Sequence, residues 1–324
     1  MSGALATPRR RLAAAIIVCV LIAVAAVAVL RFVNRPEFVE YRMTDSGDIP
    51  TAIAAAPDGG VWFTIDSAKA LGRVVEGKLM RLPKPTESLE PIGLAVAADG
   101  SAFFTDAAAK QVARMTPSGE ITAFTLETPI ARLAGIAVAP DGAVWFAEDS
   151  AFSITRLKDG ELKRHVVPAV RGRPYGVAIE ADGTVWATLQ GANQILRIGT
   201  DGAMQSFDIP TRSSAPSDIA LDAKGVVWFL EFRGNKLGRL EAGKFQEFSL
   251  GEGNVGPSGL AVGPDGAVWL AMLRLGSLGR FRDGKLERIK LPRENARPYS
   301  VAVDRAGNVW YTDTSGFVGM LKRQ

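Results

Sequence analysis

Histidine and cysteine are almost absent from this sequence, which contains His165 and Cys19 and no other residue of either type. A Ser-His-Asp arrangement needs a histidine placed beside its nucleophile, and a multi-histidine zinc site needs more histidines than the chain has. With one cysteine, no disulfide can form within the chain. These two scarcities argue against the commonest hydrolytic and zinc-dependent centres.

Clustered positive charge is also lacking. The net charge is +4, and beyond Arg9, Arg10 and Arg11 the chain contains no run of Lys and Arg. Proteins that bind DNA or RNA usually carry such clusters on one face. We therefore expect no nucleic-acid partner.

An uncharged apolar stretch extends from Leu12 to Leu30, directly after the three arginines. Its length suffices to cross a bilayer, and the flanking positive charge orients the N-terminus toward the cytoplasm. We predict a cytoplasmic tail (1–11), a transmembrane signal anchor (12–30) and a linker (31–37), with the remainder on the periplasmic or extracellular side of the cell membrane. A cleaved signal peptide remains the alternative, because small residues surround Ala26 and Ala28.

A repeat of 41 or 42 residues dominates the rest of the chain. An Asp-Gly or related turn dipeptide stands four residues before each repeated aromatic residue, and an arginine follows eleven residues after it in six of the seven copies. Asp-Gly suits a type I′ hairpin turn. The aromatic residues that mark the seven copies are Trp62, Phe103, Trp145, Trp186, Trp228, Trp269 and Trp310.

Each repeat contains four short apolar segments separated by turn signals, as in the copy that begins at Pro257. Four antiparallel strands per repeat are typical of a propeller blade. The sequence thus predicts an all-β, seven-bladed β-propeller over residues 38–324. The last copy lacks a fourth strand, and residues 37–41 match the fourth strand of the fifth copy, so we expect Phe38–Arg42 to complete the last blade and close the ring.

The recurring patterns Pro-x-Gly-(Ile/Leu/Val)-Ala, Asp-Gly-x-Val-Trp-Phe and (Ile/Leu)-Gly-Arg-(Leu/Ile) resemble the streptogramin B lyase (virginiamycin B lyase) family of seven-bladed propellers. The resemblance covers residues 38–324. It implies a magnesium-dependent elimination that opens a cyclic depsipeptide, with histidines and a glutamate at one face of the ring. Fold resemblance alone does not carry that chemistry to a new chain.

The positions that match the family's catalytic residues are occupied by other residue types. The two family histidines align with Ser258 and Tyr299, and the glutamate after the last tryptophan aligns with the neighbourhood of Asp313. Neither a serine nor a tyrosine removes a carbon-bound proton near neutral pH without strong activation. We therefore do not expect the lyase reaction.

Acidic residues follow the aromatic position in several copies and define a candidate metal site. Because equivalent positions point to the same end of the ring, these oxygen ligands could gather around a hard cation. The sequence identifies no cofactor with certainty, and Mg²⁺ or Ca²⁺ is the candidate. The alternative is structural, since Arg114, Arg156 and Arg239 stand eight residues after three of the acids and could pair with them across a hairpin. The four candidates are Asp106, Glu148, Glu231 and Asp313.

Two blades open on the same Arg-Pro-Tyr motif, at Arg173 and Tyr175 and again at Arg297 and Tyr299. Arginine and tyrosine often form binding surfaces together. We predict that these four residues bind a small polar ligand or a protein partner at one end of the ring; alternatively the tyrosines merely fill the axial channel. His165 aligns with large apolar residues of the other outer strands, which favours a packing role.

The leading hypothesis is a membrane-anchored propeller outside the cytoplasm that binds a ligand or partner. A second hypothesis is a metal-dependent lyase, or a lactone or ester hydrolase, that uses the acidic set. A third is a structural module of a cell-envelope complex.

Overall fold

Short strands and tight turns alternate along the chain in the computed structural model, which describes residues 36–66, 68, 70–83, 91–127, 132–167 and 172–323. Within these residues, 28 strands form seven sheets of four strands each. All neighbouring strands are antiparallel, so the predicted seven-bladed propeller with four antiparallel strands per blade is confirmed.

The second strand of each blade is almost completely buried, and the first strand precedes it on the inner side of the blade. The first strands are β2 (Ile49–Ala55), β6 (Pro91–Val96), β10 (Leu133–Val138), β14 (Pro174–Ile179), β18 (Pro216–Leu221), β22 (Pro257–Val262) and β26 (Pro298–Val303). The second strands are β3 (Val61–Asp66), β7 (Ala102–Asp106), β11 (Val144–Glu148), β15 (Val185–Leu189), β19 (Val227–Glu231), β23 (Val268–Met272) and β27 (Val309–Asp313).

The outer half of each blade consists of a third and a fourth strand. The third strands are β4 (Ala70–Val75), β8 (Gln111–Met115), β12 (Ser153–Lys158), β16 (Gln194–Ile198), β20 (Lys236–Glu241), β24 (Ser277–Arg282) and β28 (Phe317–Leu321). The fourth strands are β5 (Lys78–Pro83), β9 (Ile121–Thr125), β13 (Glu161–Val166), β17 (Met204–Asp208), β21 (Lys244–Ser249), β25 (Lys285–Lys290) and, in the last blade, β1 (Phe38–Arg42).

The N-terminal strand closes the ring. β1 pairs with β28 from Phe38 opposite Leu321 to Arg42 opposite Phe317. The first strand of each blade packs against the first strand of the next, and β26 contacts β2 in the same way. The predicted role of Phe38–Arg42 is therefore confirmed, and the first strands surround one axis.

The turns between first and second strands differ from the predicted type I′ geometry. Only the glycine of each dipeptide has a positive φ, as at Gly59 (82°) and Gly142 (79°). The glycine N–H donates to the residue three positions earlier, and the Asp58 carboxylate accepts the N–H of Gly60 at 3.0 Å. This arrangement is a type I turn followed by a left-handed glycine, a three-residue loop in which Asp stabilises its own turn.

Aromatic side chains fill the spaces between blades. Trp269 of the sixth blade, for example, packs in one cluster with Val301 and Tyr311 of the seventh. An arginine lies directly across from the tryptophan on the third strand in five of the six blades that contain one. Arg73, Arg239 and Arg280 place their guanidinium groups 5.1, 5.6 and 5.7 Å from the tryptophan rings. The aromatic residue therefore recurs in every repeat because it packs between neighbouring blades.

The predicted membrane span (12–30), its cytoplasmic tail and the linker up to residue 35 lie outside the described residues. Within the described part of the chain, no helix has the length and hydrophobicity that crossing a membrane requires.

Candidate functional site

The axial cavity at one end of the ring forms because each first strand contains an irregularity near its start. In the fourth blade, Pro174 pairs with Leu189, but the next ladder pair is Val177 with Ala187, so three residues on one strand correspond to two on the other. Similar register shifts occur in the other six first strands. β-Bulges redirect side chains, and residues at these bulges, among them Tyr175, Asp218 and Tyr299, line the axial cavity.

The cavity has a volume of about 500 Å³ and is lined by residues from all seven first strands. The polar and aromatic side chains in its wall are Thr51, Asp66, Tyr175, Asp218, Ser258, Tyr299 and Ser300. First strands begin at the end of the blade where second strands finish, since Pro91 pairs with Asp106 and Pro298 pairs with Asp313. The tyrosines and the acids therefore share one end of the ring.

Adjacent blades are joined beneath this cavity by threonine hydroxyls. Thr105 accepts the N–H of Gly93 at 2.8 Å and donates to the carbonyl of Ala134 in the next blade at 2.9 Å. Thr188 repeats the pattern with Gly176 and Ser217. A Cβ at Gly93 would lie 2.4 Å from the Ala134 carbonyl oxygen, which explains the glycine of the Pro-x-Gly motif.

Asp218 breaks this pattern in the fifth blade, where the motif glycine is replaced and the threonine position is Leu230. The Asp218 carboxylate accepts the N–H of Leu260 in the sixth blade at 2.8 Å and that of Ile219 at 2.9 Å. Burial raises the pKa of Asp218 to about 6 despite these two donors. Asp218 was not among the predicted site residues, although its departure from the Pro-x-Gly repeat is a readable signal.

The two tyrosines of the Arg-Pro-Tyr motifs contribute phenol rings to the cavity wall. Burial, with Tyr299 and Asp218 nearby, raises the pKa of Tyr175 to about 12. Burial, then Asp218 and Asp66, also raises the pKa of Tyr299. Both phenols are therefore neutral near pH 7, and neither hydroxyl forms a hydrogen bond within the described ranges.

The two arginines of the same motifs lie outside the cavity lining. The Arg173 guanidinium donates to both carboxylate oxygens of Asp149 at 2.8 and 2.9 Å, and this carboxylate raises its pKa. The Arg297 side chain is exposed, and its backbone N–H donates to Asp313 at 2.8 Å. The structure thus brings Tyr175 and Tyr299 together with Ser258, but not with Arg173 or Arg297.

The four predicted metal ligands Asp106, Glu148, Glu231 and Asp313 are all fully buried, each in its own blade. Glu148 accepts hydrogen bonds from Thr155 and, at 3.0 Å, from Arg164. Asp313 accepts from Arg293 at 2.7 Å, and Asp106 accepts the N–H of Ala109 at 3.1 Å. The structure does not bring the four carboxylates together.

The arginines predicted as the structural partners of three of these acids bind elsewhere, although Glu148 and Asp313 form ion pairs with other arginines. Arg114 pairs with Asp99 at 2.6 Å, Arg156 with Asp141 at 3.2 Å and Arg239 with Glu241 at 2.6 Å. Each arginine stands opposite its blade aromatic, three ladder positions away from the acid. Its side chain therefore extends toward the opposite end of the blade.

Glu231 differs from the other three acids because, among the described residues, no group meets hydrogen-bonding geometry with either of its carboxyl oxygens. Burial, reinforced by the neighbouring Glu247, raises the pKa of Glu231 to about 7. Lys236 acts in the opposite direction but binds Glu247 at 2.8 Å. Glu231 is consequently a buried acid that is largely protonated below neutral pH.

His165 lies on the outer strand β13 with its ring 5.2 Å from that of Trp145. Burial, followed by the charges of Lys163 and Arg156, lowers its pKa. It does not line the axial cavity. The predicted packing role agrees with this position.

A seven-bladed propeller with an axial cavity at one end is thus the class of protein that the fold and the site define. Residues 21–158 and 126–324 match the model of the virginiamycin B lyase family. The chain belongs to that family.

Solved structures agree with this assignment. A catalytically inactive histidine-to-alanine variant of virginiamycin B lyase from Staphylococcus aureus, solved with quinupristin, is 26% identical, with a TM-score of 0.84 over 90% of this chain and 100% of that one. A streptogramin B lyase structure is also 26% identical, with a TM-score of 0.84 over 89% and 97% of the two chains. The WD40 propeller domain of Doa1 shares only the fold, at 10% identity and a TM-score of 0.73 over 88% and 96%. No curated protein sequence matches the chain.

The cavity does not offer the donor set that the family's magnesium would need. Ser258 and Tyr299 supply neutral hydroxyls, and both Asp218 oxygens already accept backbone N–H groups. Within the described residues, no three histidine, cysteine or acidic side chains form a group suited to a metal ion. Magnesium prefers several carboxylate, phosphate and water oxygens in octahedral geometry, whereas the cavity wall contains two carboxylates, Asp66 and Asp218, and the oxygens of Asp218 are engaged.

Proposed function

We propose that this protein is a ligand-binding member of the virginiamycin B lyase family that does not open streptogramins. Its ligand is a small polar molecule that enters the axial cavity and contacts Tyr175, Tyr299 and Asp218. One observation carries the proposal: replacing a single histidine leaves the Staphylococcus aureus lyase catalytically inactive, and the only histidine of this chain packs against Trp145 in an outer strand.

The chemistry of the cavity supports binding rather than elimination. An elimination needs a base whose pKa is near the working pH and which reaches a carbon-bound proton. The raised pKa of Tyr175 leaves that phenol protonated, and the Asp218 carboxylate is held by two backbone donors. Free phenol hydroxyls in a concave site are instead suited to ligand contacts.

The location of the protein is also part of the proposal. We infer that residues 12–30 anchor the chain in the cell membrane and that the propeller lies on the periplasmic or extracellular side. The support comes from the sequence alone, through the apolar stretch and the arginines that precede it.

Incubation of the full-length protein with quinupristin and magnesium tests the catalytic part. Mass spectrometry should detect no linear product above the buffer rate, while the Staphylococcus aureus lyase in the same buffer should give complete opening. Linearisation by this protein would overturn the proposal and favour the metal-dependent enzyme hypothesis.

An unbiased screen tests the binding part. Neutral, anionic and cationic metabolites are screened against the protein, and each hit is measured again with Tyr299→Leu. At least one hit should lose affinity in this variant without a change in melting temperature. If no hit responds to Tyr299→Leu, the axial cavity is not the binding site.

Cell fractionation tests the location. The full chain should remain with the membranes after a carbonate wash and should be accessible to protease added outside the cytoplasmic membrane. Replacement of residues 1–35 by a cleavable signal peptide should release the propeller in soluble form. Recovery of the full chain in the cytoplasmic fraction would contradict the proposed anchor.

A further inference from the structure

The charged side chains that line the axial cavity carry one sign. Asp66 and Asp218 are acidic, and no lysine, arginine or histidine is found among the described lining residues. The two arginines nearest in sequence to the tyrosines do not enter the lining, and Arg173 is neutralised by Asp149. A ligand inside this cavity therefore meets a negative potential in surroundings where charge is weakly screened.

The aromatic groups favour the same sign of ligand charge. The Tyr175 and Tyr299 rings lie in the wall with Asp218, and each feels the charge of that carboxylate. A cation near the face of a tyrosine ring gains about 0.5 to 2 kcal/mol, depending on how far it is desolvated. Tyr175 is 37% exposed, so a ligand can reach it without any rearrangement of the blades.

A bare metal ion fits this cavity poorly. Its volume of about 500 Å³ is many times that of an ion, and the Asp218 oxygens are engaged by Ile219 and Leu260. A carboxylate that keeps such hydrogen bonds can still attract a positive charge through space. An organic cation with apolar substituents would also contact Ile92, which is 39% exposed and lines the same cavity.

We propose that the axial cavity binds an organic ammonium group, held over the rings of Tyr175 and Tyr299 and neutralised by Asp218. This inference rests on the proposed function and adds the chemical class of the ligand. The ligand is thus an amine or quaternary ammonium compound, and its neutral isostere is rejected.

Two matched pairs of probes test the ligand class. Choline is compared with 3,3-dimethylbutan-1-ol, and pentylammonium with pentan-1-ol, by saturation-transfer NMR and calorimetry on the full-length protein in dodecyl maltoside at low salt. We expect at least one cation to bind about tenfold more tightly than its neutral partner, a ratio in the range that ion pairing and cation–π contacts provide. Equal binding of cation and isostere in both pairs would overturn the inference.

Substitutions locate the binding. Asp218→Asn and Tyr299→Leu should each weaken binding of the cation about tenfold, the range expected for loss of one such contact. Asp283→Asn makes the same charge change in the β24–β25 turn at the opposite end of the ring, where the side chain is 90% exposed, and should leave affinity unchanged. Unchanged affinity in both cavity variants would overturn the inference.

The wild-type pH profile gives a readout that does not depend on a variant folding. The titratable groups facing Asp218 are Tyr175 on β14, Tyr299 on β26 and Asp66 at the end of β3, while the adjacent β22 presents Ser258 and Leu260. Burial raises the pKa of Asp218 to about 6, so affinity for the cation should fall as pH drops through about 6 and this carboxylate loses its charge. A flat profile over this range would count against the role of Asp218.

The outcomes separate this inference from the proposed function. If the screen yields a neutral or anionic compound whose binding is lost in Tyr299→Leu, the axial cavity remains the binding site and the ammonium assignment fails. If no compound responds to any cavity variant, the proposed function fails as well.

Discussion

Tyr311 donates its hydroxyl hydrogen bond to the carboxylate of Glu40 at 2.8 Å, although 271 positions separate the two residues in sequence. Arg293 donates to both oxygens of the same carboxylate at 3.1 Å and to Asp313 at 2.7 Å. Burial and the nearby carboxylate raise the pKa of Tyr311, so the phenol stays a donor. Ring closure is therefore made by side chains as well as by the ladder between β1 and β28.

Glu40→Ala should destabilise the propeller as a whole. The substitution leaves the Arg293 guanidinium without one of its two acidic partners and the Tyr311 hydroxyl without an acceptor. Loss of such partly buried bonds costs about 2 kcal/mol or more of unfolding free energy, measured by urea denaturation. Glu287→Ala is the matched control, because Glu287 is exposed on the fourth strand of the sixth blade. Equal denaturation midpoints for the two variants would show that the closure contacts contribute nothing.

Glu231→Gln should stabilise the protein in a pH-dependent way. The folded-state pKa of about 7 exceeds the ordinary 4.5, so folding favours the protonated acid, and wild-type stability falls as pH rises from 4.5 to 7. Glutamine removes this ionisation, and its advantage should grow over that range to roughly 3 kcal/mol and then level off. Glu148→Gln, at the same place in the third blade, loses bonds from Thr155 and Arg164 and should destabilise instead. Thermal melts of both variants at pH 5 and pH 8 decide the matter; a Glu231→Gln advantage that is the same at both values would refute the assignment.

Phe103→Trp should stabilise the second blade. Phe103 occupies the position that holds tryptophan in the other six blades, and a groove of about 760 Å³ lies beside it. Trp62 donates its indole N–H to Gly100 in the next blade at 3.1 Å, and Gly142 stands at the equivalent place for residue 103. The added burial and hydrogen bond are worth about 1 kcal/mol. Phe124→Trp, also in the groove but on the outer strand, serves as the control, and a lower melting temperature for Phe103→Trp would contradict the expectation.

Thr188→Val should weaken the contact between the fourth and fifth blades. The N–H of Gly176 loses its acceptor and the Ser217 carbonyl loses its donor, while the shape of the side chain is kept. Leaving such buried groups unpaired costs about 2 kcal/mol of unfolding free energy. Thr200→Val changes an exposed threonine and should have almost no effect in the same urea titration. Similar values for the two variants would exclude an interblade role of Thr188.

The repeat made the fold readable from the sequence, because interblade packing demands the same aromatic residue, turn and strand pattern in every blade. Ring closure by Phe38–Arg42 could be predicted because the seventh repeat lacks a fourth strand and the segment before the first repeat resembles one. The site was harder to read. Asp218 is visible only as a departure from the Pro-x-Gly repeat, and the register shifts that turn it toward the axis depend on pairing with β19, which no local pattern records.

The partners of charged side chains also escaped sequence reasoning. Arg114 and Asp106 are close in sequence and lie on adjacent strands, yet the register places Arg114 opposite Phe103, toward Asp99 in the turn. Arg173 similarly turns away from the tyrosine two positions later and binds Asp149 of the preceding blade. The partner of a long charged side chain depends on how the strands pair. A difference of three positions along a strand moves the charged group about 10 Å.

Phe38 pairs with Leu321, so the first and last strands of the propeller lie side by side in one sheet. The same ring could therefore be formed by a chain that starts at a different blade. Cross-strand partners lie about 5 Å apart, so a linker of a few residues could join the two ends of the ring. New termini could then be opened in an exposed turn, for example beside Asp283. In such a circular permutant β1 and β28 would become an ordinary hairpin, and the cut between β24 and β25 would transfer ring closure to the sheet of the sixth blade.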